Sequence, residues 1–365
     1  MKARVSESGV MFWERGKLVW DDYRGHQQIA LTSKSEAVLR WFAQWREVDS
    51  VAMLGEVSLA IAERLLEEGI LVAEGSTAHR AEEHLQRHWG RWGVGARYYH
   101  FSARSTAASR FLSVEEDAER MLRKAAVATP PPASADDPGR RLVALNRHDL
   151  HDDELNDSAW PRRRLIESLR HRRSVREFED GPSLGQLATL LWLAGGTMHT
   201  VASPGGAPAV FKTSPSAGAR APVEHYVVTT GIDGMAGGVY HFAPGRGGLE
   251  ELAAQPSTED IREAVGGQAW LATAPVWIVH TAVLARVSWR YETPRAYRDI
   301  LVGLGHVSQT LLLAATAMGL GATFVSAVRE EKLEQLLGRD PVTEPVVGVT
   351  GIGVPAQHPT AEGQG

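Results

Sequence analysis

The sequence predicts an α+β fold for the C-terminal half, preceded by a smaller unit of strands and two helices. Strand-like apolar runs at Val223 to Thr230, Pro275 to Ala282 and Val346 to Ile352 alternate with helical patterns over about 200 residues. At 365 residues the chain exceeds the usual size of one domain, so two folded units are expected. Hydrophobic residues make up 43% and charged residues 23%, the balance of a chain that folds rather than stays disordered.

Taken in order, Val10 to Trp13 and Leu18 to Trp20 read as two short strands, with Gly16 as hairpin punctuation between them. Ser35 through Arg46 places Val38, Leu39, Phe42 and Trp45 at helical spacing. A second helix is expected from about Ser58 to Glu68, stopped by Gly69, and Ile70 to Val72 returns as a strand. This order resembles the winged-helix-like modules with which many peptide-modifying enzymes grip a leader peptide. A packing or dimerisation appendage accounts for the same pattern.

Residues 79–104 mix His, Trp, Tyr and Arg and suggest a connecting helix leading into an extended segment. The stretch Thr129 to Pro138, TPPPASADDP, reads as a flexible surface loop, since its prolines favour extended backbone and its small residues offer little to bury. Helices are then expected from about Trp160 to Arg172, Ser183 to Ala194 and Ala296 to Met318, with a further strand at Ala322 to Ala327. Ser183 with Gln186 three residues on, and Gly195-Gly196 at the far end, mark the middle helix at both termini. The expected division is a module at 1–78, a connecting helix and Pro-rich linker at 79–159, and the main domain at 160–365.

Lys plus Arg total 39 against 44 Asp plus Glu, a formal charge of -5, so nothing in the overall balance calls for nucleic acid. The absence of cysteine excludes disulfides, thiolate nucleophiles, Cys-ligated zinc and iron–sulfur clusters. Redox chemistry would then depend on a cofactor. No signal-peptide core and no uninterrupted apolar run of about 18 residues is present, so a cytoplasmic protein without a membrane partner is expected.

Seven arginines fall between Pro161 and Arg176, ending in Arg172-Arg173-Ser174-Val175-Arg176 where a helix should give way to extended chain. Guanidinium forks match phosphate oxygens bidentately and a serine hydroxyl adds a small neutral donor. A solvated basic face is the alternative. The second candidate is Lys212 to Pro222, KTSPSAGARAP, whose Ser214, Ser216, Ala217, Gly218 and Ala219 would let backbone approach a flat ligand; an ordinary turn has the same composition.

An Arg-Arg-Ser-x-Arg motif after a helix, a Pro-Ser-Ala-Gly loop before a strand and a late Gly319-Leu320-Gly321, in this order, resemble the FMN-binding framework of nitroreductases. Further along, Ser288-Trp289-Arg290-Tyr291, Arg295-Ala296-Tyr297-Arg298, Gly305-His306 and Gln309 resemble SagB-type dehydrogenases, which oxidise azolines to azoles. The resemblance spans roughly residues 160–355 and implies a nitroreductase-like FMN-binding fold with an N-terminal winged-helix-like module. It implies that Arg172, Ser174 and Arg176, with Arg173 nearby, contact the FMN phosphate and ribityl chain. Pro215, Ser216, Ala217 and Gly218 would lie along one face of the isoalloxazine, and Gly319 to Ser326, including Gly321, would approach from the far side. His306 and Gln309 share a helix face that in this family lies near the flavin and the interface of a homodimer. His306 is an auxiliary base or, alternatively, a hydrogen-bonded core residue. The partners implied are a ribosomally made precursor peptide and a cyclodehydratase complex.

Two departures stand out. Azoline-oxidising members carry Lys-Tyr where this chain has Arg290-Tyr291, and arginine stays protonated, so Tyr291 is expected to handle the proton and Arg290 to orient the substrate. The basic tail of many nitroreductases is missing, with only His358 after Pro355. The first departure keeps open dehydrogenation of another peptide or small molecule, and a flavin-free scaffold subunit is the alternative from another class. Gly303-Leu304-Gly305-His306-Val307-Ser308 imitates a dinucleotide fingerprint but falls inside a helical pattern. His79, His84 and His88 have near-helical spacing but no carboxylate partner, which favours an exposed amphipathic helix over a metal site.

Overall fold

A computed structural model describes residues 1–106, 109–145, 164–252 and 255–356. The chain divides into two compact units, Met1–Arg110 and Phe111–Gly365. His358 and the start of the expected Trp160 helix lie outside the described residues.

The first unit holds β1 (Lys2–Val5), β2 (Val10–Glu14), β3 (Lys17–Asp22), β4 (Gln27–Leu31), α1 (Ser33–Trp41), β5 (Arg46–Glu47), α2 (Ser58–Glu67), β6 (Leu71–Ala73), α3 (Thr77–Trp89) and α4 (Gly93–Ser102). Strand β1 lies between β5 and β6, while β2, β3 and β4 form an antiparallel meander. The β2–β3 hairpin turns at Arg15 and Gly16, both at positive φ (48° and 77°), as a primed two-residue turn requires. Its own core gathers Ala3, Trp20, Val38, Phe42, Leu65 and Ile70. The segment expected to be extended after the connecting helix is instead the second helix α4, set off by Gly93 at φ 75°. His84 and His88 sit one turn apart on α3 with ring centroids 4.4 Å apart.

The second unit begins with α5 (Val114–Ala125), β7 (Leu142–Ala144), α6 (Leu165–His171), β8 (Phe178–Asp180), α7 (Leu184–Gly195), β9 (His199–Val201) and β10 (Ala209–Phe211). It continues with β11 (Val223–Ile232), β12 (Met235–Ala243), β13 (Gly248–Glu251), α8 (Thr258–Ala264), α9 (Ala269–Ala272), β14 (Val276–Ala282), α10 (Leu284–Ser288), α11 (Arg295–Ala317), β15 (Gly321–Val325), α12 (Glu330–Leu337) and β16 (Val346–Pro355). The main sheet runs β15-β16-β14-β11-β12-β13-β7, every pair antiparallel, with β8 on the end of β16.

Both faces of this sheet are covered, which explains why β11 and β14 read as continuous apolar runs rather than alternating ones. On one face Val227, Ile278 and Ile352 pack with Leu187 and Leu191 of α7 and Val307, Leu311 and Ala315 of α11. On the other, Val228, Trp277 and Val279 pack with Ile261 of α8 and Leu333 and Leu337 of α12. Neighbouring residues along a strand point to opposite faces, so one strand feeds both layers.

Helix α11 is long and apolar enough, with mean hydropathy 1.5, to cross a membrane by length and composition alone. Here it packs against α6, α7 and β15 as the central helix of the domain. Arg298, Asp299 and His306 interrupt it, which is why no unbroken apolar run is visible in the sequence. The glycine pair Gly303 and Gly305 lies inside this helix, so it has no strand-to-helix turn for a dinucleotide.

The proline-rich stretch is not a loose surface loop. The Pro132 carbonyl accepts from Arg286 Nε at 2.9 Å, the Asp137 amide donates to Glu250 Oε1 at 2.7 Å, and Arg246 donates to the Asp137 carbonyl at 2.6 Å. The Pro132 and Asp137 carbonyls are thus each taken by an arginine, Arg286 of α10 and Arg246 of the β12–β13 turn.

Candidate active site

Helix α6 ends at His171, and Arg172 turns into extended backbone at φ -53°, ψ 120°. The chain then runs beside the start of β15: Ser174 bridges Ala322 in parallel and the Val175 amide donates to the Ala322 carbonyl at 3.1 Å. Gly319, at φ 75°, ends α11 and sends the chain into β15. Gly321 is required by contact, since a Cβ there would stand 2.6 Å from Val175 Cγ1. The Arg-Arg-Ser-x-Arg and Gly-Leu-Gly motifs are therefore one locus. Among the described residues Arg173 donates only to backbone carbonyls of Arg170 and Arg172, at 3.0 and 2.8 Å, and Arg176 lies over the Trp270 ring at 5.3 Å. Among the described residues no carboxylate pairs with Arg172, Arg173 or Arg176, which leaves their charge available to an anion.

The second locus forms where the loop before β11 meets the turn after α10. Ser214 Oγ and Thr310 Oγ1 of α11 are 2.6 Å apart, and Ser216 Oγ accepts the Ala221 amide at 2.9 Å. Gly218 has φ 55°, and Ala219 and Ala221 also hold positive φ (53° and 43°), an unusual run for residues with a Cβ. A Cβ on Gly218 would stand 2.5 Å from Tyr291 Oη and 3.1 Å from Arg290 Nη1. Glycine here lets a hydroxyl and a guanidinium close onto bare backbone.

His306 reaches the same loop, its Nδ1 3.1 Å from the Pro215 carbonyl. A carbonyl only accepts, so Nδ1 is the donor in this contact. The side chain is exposed, which removes the core-residue alternative. Gln309, one turn on, is exposed on the same face.

The structure thus brings Arg290, Tyr291, His306 and Pro215 to Gly218 together, and separately gathers Arg172, Arg173, Ser174 and Arg176 with Gly319 and Gly321. Helix α11 joins the two groups. From His306 to Gly319 it advances about 20 Å at the usual helical rise.

Two contributors, Asp117 and Arg120, lie outside the sequence reading, and two more, Arg220 and Lys212, fall within the candidate loop but had no role assigned there. Helix α5 brings Asp117 and Arg120 to the Arg290 turn: Asp117 Oδ2 accepts from Arg290 Nη2 at 2.9 Å and Oδ1 from Arg120 at 2.7 Å. Burial pushes the Asp117 carboxyl up, but the Arg120 hydrogen bond and the Arg290 charge outweigh it and hold it below the usual range. Arg220, buried under the loop, donates to the Gly218 and Ala207 carbonyls at 2.9 and 3.0 Å. Lys212, at the head of the loop, has its amine pulled down chiefly by burial, with Glu224 opposing and Arg286 assisting. The capping box Ser113 to Glu116 and the i, i+3 spacing of Asp117 and Arg120 were the available signals for α5.

Beneath the loop lies a buried ionic chain. His241 faces Glu224 from Nε2 at 3.1 Å and Glu250 from Nδ1 at 3.2 Å; Arg286 pairs with Glu224 and Arg246 with Glu250. Burial alone would discharge His241, but its two carboxylate partners raise it, and with both nitrogens donating it is an imidazolium. Burial pushes Glu224 up as well, yet Arg286 and His241 hold it far below the carboxylate range. Arg286 also donates to the Ala221 carbonyl at 3.0 Å, which ties this chain to the end of the site loop.

The nitroreductase family model matches residues 169–354. A protein of Methanocaldococcus jannaschii named as a nitroreductase, MJ1384, is 33% identical over 175 residues, 48% of this chain and 84% of its own length. The trifolitoxin-processing protein TfxB of Rhizobium leguminosarum bv. trifolii is 34% identical over 137 residues, 36% of this chain and 37% of that protein. A crystal structure from Anabaena variabilis, also named for a nitroreductase, superposes with TM-score 0.50 at 22% identity, covering 71% of this chain and 46% of that one. With both loci falling largely inside the matched span and the fold in agreement, the chain belongs to the nitroreductase family.

Proposed function

We propose that this chain is an FMN-dependent oxidoreductase that dehydrogenates azoline rings of a ribosomally made precursor peptide to azoles. The observation that carries the reading is the closure of Tyr291 Oη and Arg290 Nη1 over Gly218, which sets a hydroxyl and a cation beside the half-buried backbone of the loop. Similarity to a protein named for processing trifolitoxin supports a peptide as the substrate class.

The residues fit the cofactor. Gly218 and Gly321 keep backbone bare where a Cβ would collide with the side chains of Tyr291 and Val175, and Arg172, Arg173 and Arg176 offer charge for a phosphate. Bound FMN would supply the two-electron acceptor, receiving hydride from one ring carbon and passing the electrons to dioxygen. The protein's share is the proton lost from the neighbouring ring carbon. Tyr291, acting as its phenolate, is assigned to take it and end as the phenol, with Nε2 of His306 as a second acceptor. Arg290 orients the substrate through its unpaired Nη1.

A homodimer is part of the same proposal. The two loci are separated along α11, whose outer face exposes Leu301 and Val302, and neighbouring α6 exposes Leu165, Ile166 and Leu169. A second copy covering this apolar surface would join a locus of each chain into one site. The first unit is assigned to the leader peptide, and a cyclodehydratase is the source of the azoline.

Dehydrogenation of another ring or C–N bond is the second reading, favoured because Arg290 is engaged by Asp117 where a lysine base would be expected. An absorption spectrum with identification of heat-released flavin, followed by turnover of azoline and non-azoline peptides, tests both. Released FMN with azole formation, abolished in Tyr291→Phe, is the expected result. Protein that fails to take up FMN overturns the oxidoreductase reading, and FMN-loaded protein inert toward azolines overturns the substrate.

A further inference from the structure

We propose that Asp117, on a helix ahead of the matched family span, is a positioning residue of this site: it holds one arm of Arg290 so that the other arm meets the substrate over Gly218. The inference rests on the proposed reading of Arg290 as the substrate-orienting group.

Helix α5 grips the turn after α10 along one stripe. Asp117, Arg120 and Lys124 lie at i, i+3 and i+7 and therefore share a face. Asp117 uses both oxygens, one on Arg120 and one on Arg290. Arg120 donates onward to the Arg290 carbonyl, and Lys124 to the Trp289 carbonyl at 2.7 Å and to Glu292 Oε1 at 2.6 Å. Met121 on the same helix packs with Trp289 and Ala207. Side chains from one helix thus hold Trp289, Arg290 and Glu292 from outside the nitroreductase framework.

The guanidinium is divided between two tasks. Its Nη2 is spent on Asp117, and among the described residues its Nη1 has no hydrogen-bond partner and lies near Tyr291 Oη at the point that a Gly218 Cβ would occupy. A planar fork does both with donors held in fixed directions, whereas the donors of an ammonium rotate freely on a flexible stem. Arginine in place of lysine is therefore matched by an acid on the added helix. Without Asp117 the Arg290 fork keeps its charge but loses its direction, since among the described residues no other hydrogen bond holds it and its ring contact with Tyr291 is at 5.5 Å. The substrate group that Nη1 would receive is an oxygen acceptor such as a peptide carbonyl.

The test compares FMN-loaded wild type with Asp117→Asn and Asp117→Glu on an azoline-containing peptide. The expected result for Asp117→Asn is at least a fivefold rise in KM with kcat within twofold and FMN content unchanged, and Asp117→Glu restores most of the affinity. Hydrogen exchange of residues 286–293 is read in parallel without substrate, and faster exchange is expected in Asp117→Asn but not in Asp117→Glu. Wild-type KM and exchange in Asp117→Asn overturn the inference. So does loss of FMN in both variants, which marks a structural role. If the wild type turns over no azoline peptide, the reading has failed on its own, and the exchange comparison still decides whether Asp117 holds the turn.

Discussion

Two groups of arginine–carboxylate pairs lie within the same domain at different depths, and they are built for different ends. In the chain Arg286–Glu224–His241–Glu250–Arg246, both glutamates, His241 and Arg286 are buried. In the Asp117–Arg120–Arg290 group the side chains remain 21 to 28% exposed. Burial removes water from both partners of a pair, so the inner chain depends on each member being present. The outer group keeps solvent as a substitute partner. The inner chain supports the loop end at Ala221, while the outer group aims a side chain that must meet a substrate.

The largest effect should come from breaking the inner chain. Glu224→Ala strands Arg286 and His241 without their shared carboxylate and is expected to remove about 3–5 kcal/mol of stability, read from denaturant midpoints. A loss as small as that expected in the outer group would erase the distinction drawn here.

Next comes the pH response. His225 and His280 meet through their Nδ1 atoms at 3.0 Å, so one donates and one accepts, and burial holds His280 down at about 3 and His225 well below its usual value. Their unfolded forms take up protons near pH 6.5 while the folded forms do not, so each removes up to about 1.4 kcal/mol of stability per pH unit as pH falls from there toward about 3. His241 acts with the opposite sign: its raised value contributes stability below pH 6.5 that is lost as pH rises through the folded-state value. Melting temperatures from pH 4 to 8 should fall on the acid limb, less steeply in His280→Asn. An acid limb of unchanged slope in that variant would mean that His280 does not carry it.

Glycine substitutions sharpen the comparison at an intermediate scale. Gly218→Ala combines positive φ with the Tyr291 collision and is expected to lower stability by about 1–3 kcal/mol and to abolish turnover. Gly303→Ala, in the middle of α11 with nothing near its would-be Cβ, should instead raise stability by about 0.5–1 kcal/mol with turnover retained. Thermal melts and a turnover assay on the same preparations separate the two.

The smallest stability effect belongs to the outer group. Asp117→Ala should change unfolding free energy by no more than about 1 kcal/mol, the range of partly exposed ion pairs. A loss comparable with that of Glu224→Ala would assign Asp117 to the fold rather than to the site.

Much of the fold is legible in the residues. The runs at 223–230 and 275–282 become β11 and β14 because uniform apolar character suits a strand covered on both faces, and the Ser183 and Gln186 box opens α7 as its pattern indicates. Strand β12 was not legible. Its Met235-Ala236-Gly237-Gly238 start reads as a turn, yet Gly237 is needed because a Cβ would stand 2.7 Å from the Thr230 carbonyl oxygen across the hairpin. Helix α1 stops at Trp41 rather than continuing to Arg46, because the chain turns at Phe42 to bring Arg46–Glu47 alongside β1.

The sequence by itself determined where local geometry is forced. It marks the end of α6 at the arginine run, the glycine at 218 where side-chain bulk has no room, and the absence of any thiol chemistry. Tertiary structure alone decided which distant residues complete those positions. Asp117 and Arg290 are 173 residues apart and Glu224 and Arg286 face each other across elements, so neither pairing leaves a periodic trace. Periodicity records which face of an element is buried, whereas the partner of a buried or half-buried charge is set by the sheet order and helix packing that bring two faces together.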